Sequence, residues 1–106
     1  MNNDRELLEL AAKAAGIKGA FFDYRDKFGL VLENGKTWNP LTDDGDALRL
    51  AVKLEIDVDH ILGEVATICT NLKNMDFVYE DYRDDPYAAT RRAIVRAAAE
   101  IGKDMK

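Results

Sequence analysis

A chain of 106 residues with 15 basic and 20 acidic side chains has a formal net charge of −5, a balance that disfavours non-specific binding to nucleic acid or to an anionic membrane. With 47% hydrophobic and 33% charged residues, it reads as one soluble domain spanning residues 1–106, large enough to bury about 65% of its unfolded surface. The single cysteine, Cys69, excludes an intramolecular disulfide and points to a reducing, intracellular compartment; no apolar run reaches the roughly 20 residues of a transmembrane helix, and the polar stretch from Met1 to Glu6 lacks the basic-then-apolar pattern of a secretory leader.

Asn3 followed by Glu6 fits a capping box, in which each side chain serves a backbone amide of the other's turn. Leu7, Leu10, Ala11 and Ala14 then recur at helical spacing, with Leu8 and Ala15 widening the stripe, and Gly16 supplies the left-handed stop, which predicts a helix over about residues 4–15. From Lys18 to Tyr24 the residues are aromatic and β-favouring, Arg25-Asp26-Lys27 fits a turn, and Leu30-Val31-Leu32 predicts a second strand. Asn34-Gly35 is a strong short-range hairpin signal. It leads into Lys36-Thr37-Trp38, a short strand halted by Pro40, which has no amide to donate to a ladder, so the three strands predict a meander.

The second predicted helix begins near Thr42 as the cap, with Asp43, Asp44 and Asp46 at the positive end of its dipole. Its apolar stripe is read as Ala47, Leu48, Ala51 and Val52, with Leu50 and Leu54 on a flanking strip and Arg49 and Lys53 towards solvent. Ile56 to Ile61 alternates as a strand does, and Val65 to Cys69 is also β-like; Gly63 between them fits a hairpin, with a short helix as the alternative. Phe77-Val78-Tyr79 is a last strand candidate before an acidic turn. Asp85-Pro86 is the favoured order of cap and first helical residue. It starts a long helix to about Gly102, with Tyr87, Thr90, Ile94, Ala97, Ala98 and Ile101 on one face and Arg92, Arg96 and Lys103 on the other. The order is α-β-β-β-α-β-β-(β)-α. It predicts an α+β layered sandwich, with an antiparallel sheet of about five to six strands packed against three helices.

Two long segments carry a resemblance. Trp38 to Leu54 (WNPLTDDGDALRLAVKL) and Asp85 to Gly102 (DPYAATRRAIVRAAAEIG), in this order and preceded by the helix Leu7 to Ala15, resemble the phage ABA sandwich domain, a family of small bacteriophage and prophage proteins. The resemblance covers about half of the chain, and the region from Glu55 to Asp84 contributes nothing to it. It implies a sheet sandwiched with helices and a phage or prophage origin, hence the cytoplasm of a bacterial host. It implies no particular activity.

The residues that carry chemistry are few. Asp43, Asp44 and Asp46 lack the alternating acids, the sixth-position Gly and the twelfth-position Glu of a calcium loop, so they read as helix-start acids. Asp57 and Asp59 share one face of a strand while His60 points to the other, so the three do not converge. Cys69 has no basic neighbour to lower its pKa and reads as a buried inert thiol. No phosphate loop, nucleophile elbow or zinc spacing is present; no metal and no cofactor are expected.

Binding candidates remain. Trp38, with Asn39 and Asp43, either caps the core or forms the lip of a ligand or partner groove. Arg91 and Arg92 either hold an anion, or Arg91 pairs with an acid of the second helix, which would tie the two resembling segments together. The acidic stretch Asp76, Glu80, Asp81, Asp84, Asp85, with Tyr79 and Tyr82, is either a solvated turn or a surface that meets a partner protein. The leading functional expectation is a non-catalytic accessory protein that binds a host or phage protein. A small-ligand binder with a pocket near Trp38 is the alternative, and an enzyme with scattered groups the third. Homodimerisation through an open sheet edge is a further expectation.

Overall fold

In a computed structural model of the chain, residues 4–69 and 77–105 are described, the side chain of Cys69 excepted. The elements are α1 (Asp4–Ala15), β1 (Gly19–Tyr24), β2 (Lys27–Leu32), β3 (Thr37–Trp38), α2 (Asp44–Leu54), β4 (Ile56–Ile61), β5 (Glu64–Cys69), β6 (Val78–Asp81) and α3 (Pro86–Asp104). The α+β class and the element order are those read from the sequence. Asn3 and Asp76 lie outside the described residues, and so does the side chain of Cys69, so the capping box at residue 3 and the thiol's surroundings are not described.

The six strands form two antiparallel sheets of three, ordered β1-β2-β3 and β4-β5-β6, where the sequence pattern suggested one. The division follows from β3. It pairs with β2 over two residues only, Leu30↔Trp38 and Val31↔Thr37, and Pro40 then stops the ladder, so β4 has no length of strand to join. The chain turns instead through Asn39, whose carbonyl accepts from the amides of Thr42 and Asp43, and enters α2. Asp43 is the cap of that helix, one residue later than the sequence suggested: its carboxylate accepts from the amide of Asp46 at 2.8 Å. Asp85 caps α3 as expected, accepting from Ala88 at 3.0 Å, with Pro86 in the first turn.

The predicted turns follow their glycines. Gly16 ends α1 at φ +72°, and Gly35 takes φ +84° in the turn joining β2 to β3, while the Asn34 side chain accepts from the amide of Lys36. Gly63 lies in a two-residue hairpin turn between β4 and β5, so the short-helix alternative does not apply.

The centre of the fold is α3. Ala89, Ala93, Ile94, Val95, Ala97, Ala98, Ala99 and Gly102 are all buried, so it is covered on nearly every side rather than along one stripe. It packs most extensively on α1, and also on α2 and on β5 and β6. Helices α1 and α3 run parallel. Asp4 meets Arg92 near their N-terminal ends at 2.9 Å, and Lys13 donates to the Met105 carbonyl at their C-terminal ends at 2.8 Å. Between these staples the backbones touch: a Cβ on Gly102 would stand 2.1 Å from the Leu10 carbonyl oxygen. Gly102 therefore sits inside the helix as a contact point, two residues before its end. On the other flank of α3, the buried Thr67 hydroxyl donates to the Ala93 carbonyl at 3.0 Å and fixes β5 against the helix.

Two faces differ from the periodicity reading. On α2 the buried residues are Ala47, Leu50 and Ala51, whereas Leu48 and Val52 are exposed. On α3, Arg92 and Arg96 lie at packed margins and are ion-paired, to Asp4 and Glu80, instead of facing open solvent, and Tyr87 is 71% exposed. Among the described residues no helix is long and apolar enough to cross a membrane.

Candidate functional site

The residues singled out in the sequence are distributed over separate places. Trp38 is 6% exposed and belongs to the main core with Leu8, Leu30, Leu41 and Leu50, so its ring forms no lip. Asn39, beside it, is buried as well. Its amide nitrogen donates to the Phe28 carbonyl at 2.8 Å, its side-chain oxygen accepts from Leu41 at 2.9 Å, and its backbone amide donates to Asp46 at 2.9 Å. This net of three bonds holds the β3–α2 turn, which is why an Asn-Pro pair stands there.

Asn39, Asp43 and Asp46 border an open cleft of about 700 Å³ that also reaches Phe22, Phe28 and Arg49. Its acids are already engaged. Asp43 caps α2, and Asp46 accepts from both Asn39 and Arg49, the latter at 2.8 Å. Asp44 turns away to α3, where its carboxylate meets Arg91 at 2.7 Å. Asp43 and Asp46 thus share Arg49, while Asp44 diverges from them. Among the described residues, no group of three or more His, Cys, Asp or Glu is placed to hold a metal ion.

The acidic stretch is divided by strand alternation. Glu80 faces α3 and pairs with Arg96, whereas Tyr79 and Asp81 lie on the far side of the sheet. Tyr82 returns to the helix side: it packs against Val65, Ala89 and Ala93, and its hydroxyl lies 2.6 Å from Nδ1 of His60. Arg92 is committed to Asp4. Of the two arginines, Arg91 meets an acid of α2, Asp44, in the way that ties the two resembling segments.

That pair stands at the margin of a feature that sequence reasoning missed. Between α2, the first three turns of α3 and β4 runs an apolar groove of about 580 Å³. Ala47, Ala51 and Ile94 form its buried floor; Leu48, Val58 and Tyr87 stand along its walls with 63%, 37% and 71% of their surface exposed. Val52, one turn beyond Leu48 on α2, is 69% exposed and lengthens the apolar surface. The polar groups at the margin are used locally: Asp44 with Arg91, His60 with Tyr82, and the Thr90 hydroxyl with the Pro86 carbonyl. What the groove offers a ligand is therefore shape and apolar area, not a nucleophile poised beside a base.

One signal for it was present in the sequence. Six of the eight residues from Ala47 to Leu54 are apolar, too many for one stripe of a helix, so one set had to face elsewhere.

The far face of the β4–β6 sheet has a different character. The register places Asp57, Asp59, Ile61, Glu64, Ala66, Ile68, Tyr79 and Asp81 on it, with Phe77 stacked beside Tyr79 at 5.8 Å between ring centres. These residues are acidic or apolar, and none is a lysine or arginine.

Comparison with protein-family models, with curated proteins and with solved structures finds no match to this chain.

Proposed function

We propose that this chain is a phage-type or prophage-type accessory protein that acts by binding another protein, of the bacterial host or of the phage, in the bacterial cytoplasm. One observation supports the reading above all: Leu48 and Tyr87 hold large apolar side chains mostly in water on the walls of one groove, and Val52 extends that exposed apolar surface along α2. Scattered exposed apolar residues need no explanation, but a contiguous set along a groove is the surface that partner proteins cover. The phage ABA sandwich resemblance of Trp38 to Leu54 and Asp85 to Gly102 supplies the biological setting.

Small-ligand binding is the second reading, transferred from Trp38 to this groove, because about 580 Å³ lies within the size range of small-molecule sites. Protein binding is preferred, since a small molecule in the groove would leave Val52 in water.

Affinity capture from bacterial lysate, with mass spectrometry, tests the proposal. Wild type enriches one bacterial or phage protein; Leu48→Asp, still folded, loses it, and Lys36→Ala on the distant β2–β3 turn retains it. Release of a small molecule on denaturation, with no protein enriched, would favour the ligand reading. Equal capture by wild type and Leu48→Asp would remove the groove from the account.

A further inference from the structure

The groove runs along a strand that has only one neighbour. Among the described residues β4 is an edge of its sheet, paired with β5 alone, and every residue from Asp57 to Ile61 is exposed. Val58 and His60 line the groove. Val58 pairs with Thr67, whose hydroxyl reaches α3, so Asp57 and Asp59 must point to the opposite face of the sheet. The edge therefore presents three things together: unpaired backbone, a carboxylate row on one face, and an apolar groove on the other.

From this combination we infer that the partner docks by adding an extended segment to β4, and that this segment alternates lysine or arginine with large apolar residues. The inference rests on the protein-binding reading above. A strand laid beside β4 continues the pleat. Its residues on the outer face come to stand about 5 Å from Asp57 and Asp59, and those on the inner face extend beside Val58 towards Leu48 and Tyr87. Basic side chains match the outer row, and the acids of that face continue across the sheet to Glu64 and Asp81 with no cation among its described residues. Apolar side chains match the inner row. This is strand addition, in which backbone bonds supply affinity and alternate side chains supply selectivity.

The same charges disfavour a second copy of this chain at this edge. Antiparallel pairing of two β4 strands about Val58 would set Asp57 against the other copy's Asp59, and Asp59 against its Asp57. Like charges directly opposite destabilise a strand pair, and an edge guarded by charge is a known device against self-association. The homodimer expected through an open edge is thus disfavoured at this one. At the other edge, β6, Glu80 is paired to Arg96.

The test uses the full chain with three end-capped peptides of about ten residues. One alternates lysine with valine, one alternates glutamate with valine, and the third is the lysine peptide N-methylated on alternate backbone nitrogens. Amide shifts and hydrogen exchange are followed by NMR. The lysine peptide is expected to perturb and protect the amides of residues 57–61 and to bind about 10-fold more tightly than the glutamate peptide. The double variant Asp57→Lys, Asp59→Lys should reverse that preference, and N-methylation should abolish protection. Equal binding of the two charge forms overturns the inference, as does binding of the lysine peptide that survives N-methylation, which marks charge adhesion without a strand. A dimer that protects β4 in the absence of peptide overturns it too. If none of the peptides touches β4 while Leu48→Asp still abolishes capture of a protein, strand addition fails and the protein-binding reading stands; if Leu48→Asp leaves capture intact, both fail.

Discussion

Arg91 and Asp44 lie 47 positions apart in the chain and meet at 2.7 Å, while the Nε–H of the same arginine donates to the Leu41 carbonyl at 2.8 Å. One guanidinium thus ties α3 both to the first turn of α2 and to the loop before it, and it fixes the spacing of the two helices that wall the groove. Arg91 is largely buried on its side chain (18% exposed) whereas Asp44 is 70% exposed. The two partners therefore differ in energetic importance.

Arg91→Lys is expected to destabilise the fold by about 1–2 kcal/mol, because an ammonium cannot span both acceptors with the geometry of the guanidinium fork. Asp44→Asn should cost no more than about 0.5 kcal/mol, since an exposed carboxylate is well screened by water and salt. Urea titration of both variants checks this. Equal losses would show that the ion pair, and not the bond to Leu41, dominates.

Gly102→Ala should be among the most damaging single substitutions. The added methyl would meet the Leu10 carbonyl oxygen at 2.1 Å and its carbon at 2.8 Å. Both are backbone atoms that cannot rotate away, so α1 and α3 must separate. The expected cost is about 3 kcal/mol or more, towards the upper end for overpacking. A melting temperature within 1–2 °C of wild type would mean that the helices do not touch there.

The two caps give a matched pair. Asp85→Ala removes the acceptor for Ala88 and Asp43→Ala the acceptor for Asp46, and each should cost on the order of 1 kcal/mol. Asn in place of either Asp keeps an acceptor oxygen and should restore most of the loss, as read by thermal unfolding of the four variants. Failure of Asn to rescue would assign the effect to charge rather than to capping.

How far the fold was legible depends on the range of the forces involved. Gly16, Asn34-Gly35 and Asp85-Pro86 act within a few residues, and each marked an element end to within a residue or so. The boundaries Asp4–Ala15 and Ile56–Ile61 followed from equally local spacing. Arg91's pairing with an acid of the second helix was readable because the acids cluster at one helix start. The two-sheet division was not readable: Pro40 and the helix after it were, but whether β3 and β4 then pair depends on how distant elements pack, which no short window contains. Nor was the outward set of α2. Ala47 and Ala51 are common to both possible stripes, and whether Leu48 and Val52 or Leu50 and Leu54 face inward is decided by where α3 lies, a tertiary fact that no window of α2 contains. Trp38 shows the reverse case: a large aromatic that invites a functional reading, placed at 6% exposure in the core.

Leucines two positions apart on α2 should accordingly behave in opposite ways. Leu50→Ala empties a core position that is 2% exposed and should cost about 2–5 kcal/mol. Leu48→Asp changes a side chain that is 63% exposed and should leave stability within about 0.5 kcal/mol of wild type. Denaturant midpoints decide it, and a large loss for Leu48→Asp would restore the stripe read from the sequence.

The central claim, that the α2–α3 groove is where this protein meets its partner, is tested most directly by photo-crosslinking in living bacteria. A benzophenone side chain placed at position 48 should yield one discrete, heavier adduct containing a second protein, while the same group at position 36, on the β2–β3 turn, yields none. Adducts of equal pattern and amount from both positions, or none from position 48 in a folded and expressed protein, would contradict it.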